Sequence, residues 1–333
     1  MSAVSAGWTA VEGDVDAVLP FAVEALDVRG RVVHLGPALD AILARHDYPE
    51  PVSRLLGEAV ALTALLGTAL KLEGRFILQT SSDGPVDLLV VDYTTPDALR
   101  AYARYDAERV AAADPRADAA APLGHGHLAM TVDQGPSATR YQGIVALDGA
   151  SLEAIADRYF EQSEQIPTRV RLAVAEMMHR REGEAPARSW RAGGLMVQFL
   201  PPAEDRLGRR DLDPGDAPAG AEAAEAMDPG EDDAWNEARA LVDTVEDLEL
   251  TDPEISAERL LYRLFHERGV RVFDAQPLVD RCRCSRERVG GMLRGFTDAE
   301  RAEMTLPDGT IEVTCEFCST RYRFTAEEAT EAP

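Results

Sequence analysis

Arg281-Cys282-Arg283-Cys284-Ser285-Arg286, near the C-terminus, is answered by Cys315-Glu316-Phe317-Cys318, and these two stretches hold all four cysteines of the 333-residue chain. Thirty residues separate the pairs, giving the pattern C-x-C-x30-C-x-x-C. Scattered buried thiols would not collect in one terminal stretch. Two chemistries fit the grouping. A tetrahedral Zn²⁺ ion takes four thiolates, usually from paired cysteines with a longer spacer. Disulfides are the other, but in a reducing compartment such spacing more often means metal. The expected ligands are Cys282, Cys284, Cys315 and Cys318, one Zn²⁺ per chain in the reduced form. Four filled positions leave none for a substrate or activated water, so zinc catalysis is not expected.

The neighbouring residues extend this reading. A four-thiolate zinc site carries excess negative charge, and Arg281, Arg283, Arg286 and Arg288 crowd the first pair while Arg321 and Arg323 follow the second. Their guanidinium groups favour thiolate forms. Ile311 to Thr314 and Tyr322 to Phe324 read as a hairpin around the second pair, with Pro307-Asp308-Gly309 as the turn into it. Arg286 to Leu293 and Thr297 to Met304 read as short helices between the pairs. C-x-C spans about 6–7 Å between Cα atoms when extended, so a slight bend lets it close a disulfide. C-x-x-C is also the spacing of redox-active dithiols. Each pair is thus able to close on itself and give up a metal.

These residues resemble the redox-regulated chaperones of the heat-shock protein 33 family. The C-x-C-S-R-E-R segment at Cys282 to Arg288 and the C-x-x-C at Cys315 to Cys318 match that family's zinc signature in order and spacing. The likeness continues upstream in Tyr159 to Arg169, in Ala192 to Gln198, in Tyr48-Pro49-Glu50-Pro51-Val52 and in Leu70-Lys71-Leu72-Glu73-Gly74. The resemblance implies a holdase, not an enzyme, that binds unfolding client proteins and stops their aggregation under oxidative stress. It implies an inactive, zinc-bound reduced form. Oxidation would form two disulfides, by position Cys282–Cys284 and Cys315–Cys318, release zinc, unfold a linker and promote homodimerisation.

Composition and patterning set the rest. A net charge of −25 repels polyanions, so neither nucleic acid nor an anionic membrane is expected as a partner. The apolar stretch Ala59 to Leu70 is short for a bilayer. Met1 to Asp16 has no positive charge and carries Glu12, Asp14 and Asp16, unlike a secretory signal. A cytoplasmic location is the expectation. Strands are predicted at Phe21 to Asp27 and Arg31 to Leu35, around a turn at Val28-Arg29-Gly30, and a helix from Pro37. A long core helix follows from Val52 to Leu70. Arg75 to Thr80, Val86 to Tyr93, Leu99 to Tyr105, Leu128 to Asp133 and Thr139 to Leu147 read as strands. Turns at Gly84-Pro85 and Gly135-Pro136 hint at a duplicated hairpin. Ala107 to Pro122 reads as a loop, and His125 and His127 as solvated loop residues. Ser151 should cap a helix ending before Pro167. Arg169 to Val174 and Leu195 to Phe199 should close the domain around a charged loop, His179 to Ser189.

Pro201-Pro202 ends that unit. Ala203 to Asp233 holds eleven acidic residues against three arginines, too polar to pack. Beyond it, Trp235, Ala238, Leu241, Val242, Val245 and Leu248 form one helical stripe, and Leu260, Leu261, Leu264 and Phe265 another. Such short helices need something to lie on. The expected class is therefore α+β, with a large N-terminal β-sheet domain packed with helices at 1–202. An acidic flexible tether at 203–233, a helical redox-sensitive linker at 234–273 and a small C-terminal zinc-binding domain at 274–333 complete the expected organisation. A redox-insensitive zinc-ribbon adaptor is the alternative. The zinc segment from Arg281 to Phe324, with eight arginines against seven acids, lacks the basic footprint of a nucleic-acid module.

Overall fold

In the computed structural model, residues 16–70, 73–113, 121–135, 140–179, 187–200 and 233–330 are described. The acidic tether, up to residue 232, lies outside them, as do Met1 to Val15, Lys71-Leu72 and most of the His179 to Ser189 loop. Two six-stranded sheets form the body. Its strands are β1 (Ala17–Val23), β2 (Val28–Leu35), β3 (Arg75–Ser82), β4 (Val86–Thr94), β5 (Ala98–Tyr105), β6 (His125–Asp133), β7 (Tyr141–Asp148), β8 (Thr168–His179) and β9 (Ala187–Phe199). Three two-residue strands join them from the C-terminal side: β10 (Arg271–Val272), β11 (Gln276–Pro277) and β12 (Val279–Asp280). The first sheet runs β10-β1-β2-β9-β8, with β11 also on β1; the second runs β12-β5-β4-β3-β6-β7. Among the described residues, only β12 pairs in parallel, with β5.

The helices are α1 (Pro37–Leu43), α2 (Glu50–Ala69), α3 (Ala107–Ala112), α4 (Leu152–Tyr159), α5 (Asp233–Asp243), α6 (Asp247–Thr251), α7 (Ala257–Phe265), α8 (Arg286–Arg294) and α9 (Asp298–Met304). α2 lies against strands of both sheets. Its interleaved small residues permit this, and Leu55, Leu56, Ala59, Leu62 and Leu66 join the main core. It starts at Glu50 and so has the length and hydropathy of a membrane span, but 83% of that window is buried inside the protein. Burial explains the apolar run.

Several local readings change. The first hairpin turns at Glu24–Asp27, where Asp27 takes φ 53°. Gly30 is instead a residue of β2, paired with Phe21 and Val197, where a Cβ would lie 2.3 Å from the Phe21 ring. Ala107 to Ala112 is helical, since Asp106 accepts from the Glu108 and Arg109 N–H groups as an N-cap. His125 and His127 lie exposed on β6, not in a loop. Both closing strands are longer than the apolar pattern suggested, pairing from Thr168–Gln198 to His179–Ala187. Ser151 does cap α4, accepting from Ala154 N–H at 3.2 Å. The hairpins β3–β4 and β6–β7 lie side by side in one sheet.

α5, α6 and α7 cover the outer face of the first sheet. There Trp235, Ala238, Val242, Val245, Leu250, Leu260, Leu261, Leu264 and Phe265 bury against Leu19, Phe21, Val32, Leu195, Val197 and Phe199. The first stripe ends earlier than expected: a new helix begins at Asp247, leaving Leu248 64% exposed and turning Leu250 inward. Polar ties add register. Arg169 on β8 binds Asp157 of α4 at 3.0 Å and Asp243 of α5 at 2.6 Å. Arg171 spans Glu153 and Asp247 in the same way, at 3.7 and 3.5 Å. Arg191 donates to the Thr251 carbonyl at 3.1 Å.

Candidate metal centre

The chain reaches the cysteines along the edges of the body. After α7, Gly269 turns with φ 78°, β10 and β11 pair with β1, and β12 runs beside β5. Ion pairs hold the last strand at both its sides. Asp280 takes a forked contact from Arg45, and Asp97 takes Arg281 at 3.1 Å. Cys282 and Cys284 follow at once. Ser285 then caps α8 by accepting from Arg288 N–H, and Thr297 forms a capping box with Glu300 at α9. The hairpin of β13 (Thr310–Thr314) and β14 (Arg321–Thr325) carries the second pair in its turn. There the Cys315 N–H donates to Thr320 O and Ser319 N–H to Cys315 O. A small core of Leu293, Ile311, Phe324 and Ala329 supports this unit.

The four sulfurs converge. One ligand atom from each of Cys282, Cys284, Cys315 and Cys318 lies within 4.8 Å of all the others. Cys282 and Cys315 Sγ are 3.7 Å apart, and Cys284 and Cys318 Sγ 3.3 Å. A tetrahedron with Zn–S arms of about 2.3 Å has edges of about 3.8 Å, so this spacing and these donors suit a tetrahedral thiolate metal. His125 and His127 join no such group among the described residues.

The surroundings tune the thiols unequally. Burial pushes Cys284 upward, only partly opposed by the Tyr322 hydroxyl 3.1 Å away. Burial also acts on Cys318, but the Thr320 hydroxyl at 3.2 Å, the Thr320 backbone and the neighbouring thiols outweigh it and draw Cys318 down. Cys315 is raised, chiefly by burial.

The arginines next to the cysteines in sequence mostly turn elsewhere. Arg281 binds Asp97, Arg286 binds Glu328 and covers the Phe324 ring at 4.5 Å, and Arg323 binds Glu312. Arg288 donates to the Arg283 carbonyl at 2.6 Å. Positive charge comes instead from the body. Arg100 of β5 lies in the field of Cys282, and Arg45 in the fields of Cys318 and Cys282. Arg100, Tyr102 and Arg104 alternate along β5 with the buried Leu99, Ala101 and Ala103. Their side receives the cysteine turn.

Phe317, between Cys315 and Cys318, fixes this contact. Its ring lies 3.9 Å beneath the Arg100 guanidinium and 6.3 Å from the Tyr102 ring. Its carbonyl is 3.5 Å from His46 Nε2, and Ser319 Oγ donates to the Arg45 carbonyl at 3.2 Å. His46 stacks on Tyr48, whose hydroxyl accepts from Ala103 N–H at 3.0 Å. No periodicity marks His46 or Arg100 for this role; the only signal was an aromatic between two ligand cysteines.

Comparison with known proteins agrees with this architecture. A family model described as Hsp33 protein matches residues 16–325. A 33 kDa chaperonin of Caulobacter vibrioides is 47% identical over 312 residues, covering 92% of this chain and 94% of the relative. A 33 kDa chaperonin of Pseudomonas putida is 38% identical over 319 residues, covering 96% and 93%. The crystal structure of a 33 kDa chaperonin from Thermotoga maritima, a heat shock protein 33 homolog, superposes with a TM-score of 0.72. It is 21% identical, with 94% of this chain and 96% of that one covered, and bears on the fold alone.

Proposed function

The chain belongs to the Hsp33 family of chaperones, and on that premise we propose that it is a redox-regulated holdase whose switch is the four-cysteine cluster. The supporting observation is the convergence of the four sulfurs on a turn that is itself seated on the body. Cys282, Cys284, Cys315 and Cys318 hold one Zn²⁺ per chain in the reduced form. Bound zinc would supply folding free energy to a segment whose own core is four fully buried side chains. The proposed units are a body at 1–202, a tether at 203–233, a linker at 234–273 and the metal-binding domain at 274–333.

Oxidation works on the residues in order of contact. Two thiolates give two electrons to a peroxide, which takes up two protons and leaves as two waters while one S–S bond forms. Cys315–Cys318 and Cys282–Cys284 each close in this way, which would leave no thiolate to hold a metal. The turn around Phe317 then no longer fits beneath Arg100. Loss of that seat frees β12, β11 and β10, which tie the following segment to both sheets. α5, α6 and α7 are left held by their apolar stripe and by the ties of Arg169, Arg171 and Arg191. Their departure bares Leu19, Phe21, Val32, Leu195, Val197 and Phe199 to unfolding clients. The same face favours pairing of two oxidised copies. A reducing, cytoplasmic compartment fits a switch kept off by thiols.

Light scattering of a thermally unfolding client tests this, with reduced and oxidised protein side by side. Suppression by the oxidised form alone is expected. Equal suppression, or none, by both forms overturns the redox reading. Metal content of the four single Cys→Ser variants tests the ligand set, since full retention in each overturns it.

A further inference from the structure

Beside the cysteine cluster lies a cavity of about 460 Å³, lined by Arg75, Thr94, Asp133, Gln134, Arg140 and Arg283 among others. It joins two parts of the protein. Arg75 opens β3, Asp133 ends β6 and Arg140 precedes β7, all on the body, whereas Arg283 stands between Cys282 and Cys284. Three guanidinium groups therefore face one carboxylate. Arg75 pairs with Asp133, and Arg140 reaches the same oxygen at 3.5 Å.

Arg283 is the unusual member. Its Nε is buried and meets no acceptor among the described residues. It stands in the fields of Arg75, Arg100 and Arg288, with Asp92 the opposing acid. Asp92 is already taken by Arg100, at 2.8 Å. A buried donor on a charged group that lacks an acceptor is costly, and like charges at close range add to the cost. In a chain of net charge −25, three arginines do not meet around one acid by composition.

We infer that this cavity binds a phosphate-class oxyanion, held between Arg75 and Arg140 of the body and Arg283 of the cysteine segment. Planar guanidinium groups match the oxygens of phosphate in forked geometry. The residual charge of the lining suits a doubly charged group. Its described lining is polar and offers no aromatic wall for a base, so the phosphate groups themselves are the recognised part, as in orthophosphate or a short phosphate chain. The anion ties the cysteine segment to β3 and β6 by a bond independent of the metal.

Isothermal titration of the reduced, metal-loaded full chain at constant ionic strength tests the site, using orthophosphate, tripolyphosphate and ATP as probes. Saturable binding of tripolyphosphate is expected, with no gain for ATP from its nucleoside. Arg140→Ala and Arg283→Ala should each weaken binding roughly tenfold or more, while the remote, exposed Arg188→Ala leaves it unchanged. Arg140 is 67% exposed, so its variant keeps the fold, as unchanged circular dichroism and metal content would verify. It carries the test if Arg283→Ala disturbs the cysteines. Absence of saturable binding overturns the site, as does equal affinity in all variants. Neither result touches the holdase reading, which is measured on clients.

Discussion

Gly193 of β9 passes so close to Leu250 of α6 that a Cβ on the glycine would stand 2.0 Å from the Leu250 carbonyl oxygen. The backbone of the linker thus lies directly on the sheet, without an intervening side chain. Gly193→Ala must push α6 outward, since a carbonyl cannot yield as a flexible side chain does. Overpacking of this kind costs about 1–3 kcal/mol, and here the strain falls on short helices. The expected outcome is a reduced, metal-loaded protein whose residues 233–268 are cut by protease at least several-fold faster than in the parent chain. Limited proteolysis of the two reduced proteins checks it; matching cleavage rates would contradict it.

The seat of the cysteine turn is open to a similar test. Phe317→Ala removes both the contact with Arg100 and the approach to Tyr102. Cation–π and aromatic contacts of this sort contribute about 0.5–2 kcal/mol each. The four sulfurs stay, so metal content should be unchanged. Release of the metal under mild peroxide should be several-fold faster, as read with a colorimetric zinc indicator. Unchanged release kinetics would show that the seat does not guard the cluster.

The cysteine cluster and the body differ in how far the sequence reveals them. Cys282, Cys284, Cys315 and Cys318 were legible because ligand spacing is a local property, and α8, α9 and the β13–β14 hairpin because caps and turns are local too. Arg45 and Arg100 were not legible, since their approach depends on β12 joining β5, a pairing of two residues with no pattern of its own. The same holds for Arg169 and Asp243, which meet only because α5 folds back over β8. Periodicity reported that the linker helices had an apolar stripe; it carried no information on which sheet face would receive it. Leu248 shows the converse failure, a residue in phase with a stripe that a new N-cap at Glu246 interrupts.

The polar tie at Asp157 gives the linker a dependence on pH. Burial raises its carboxyl to about 7, overcoming the opposing pull of Arg169 and the Val170 N–H. The folded state therefore holds a proton that the unfolded chain, with a carboxyl near 3.8, has lost. Stability falls as pH rises between those values, by on the order of a few kcal/mol. Glu153, also raised chiefly by burial, acts in the same sense. Buried His34, lowered from 6.5 to about 4, acts in the opposite sense over most of that window. The useful quantity is hence a difference. Asp157→Asn keeps the oxygen that accepts from Val170 N–H and should flatten the fall, as thermal unfolding of both proteins from about pH 4 to pH 7 would show. Parallel curves would mean that Asp157 does not titrate in that window.

The order of disulfide formation follows from the unequal thiols. Cys318 is drawn down by Thr320 and its neighbouring thiols against the effect of burial, whereas Cys284 is raised by burial. The thiolate, not the thiol, reacts with peroxide, and the groups that draw Cys318 down favour its thiolate, so Cys318 is expected to be oxidised first. It becomes a sulfenic acid with loss of one water, and a second thiol displaces another water to form the S–S bond. Two candidates compete for that step. Cys284 Sγ is nearest at 3.3 Å, but it belongs to the Cys282 segment, across from the turn. Cys315 belongs to the same turn, and closing that pair needs no movement of the Cys282 segment, which stays tied through Arg281 to Asp97. Cys315–Cys318 is therefore expected to form first and to loosen the turn around Phe317, with Cys282–Cys284 following. Mass-spectrometric mapping during a short, mild peroxide exposure decides the matter. Early accumulation of Cys282–Cys284 with Cys315 and Cys318 still reduced, or of a crossed Cys284–Cys318 bond, would overturn this order and leave the turn seated while the first pair closes.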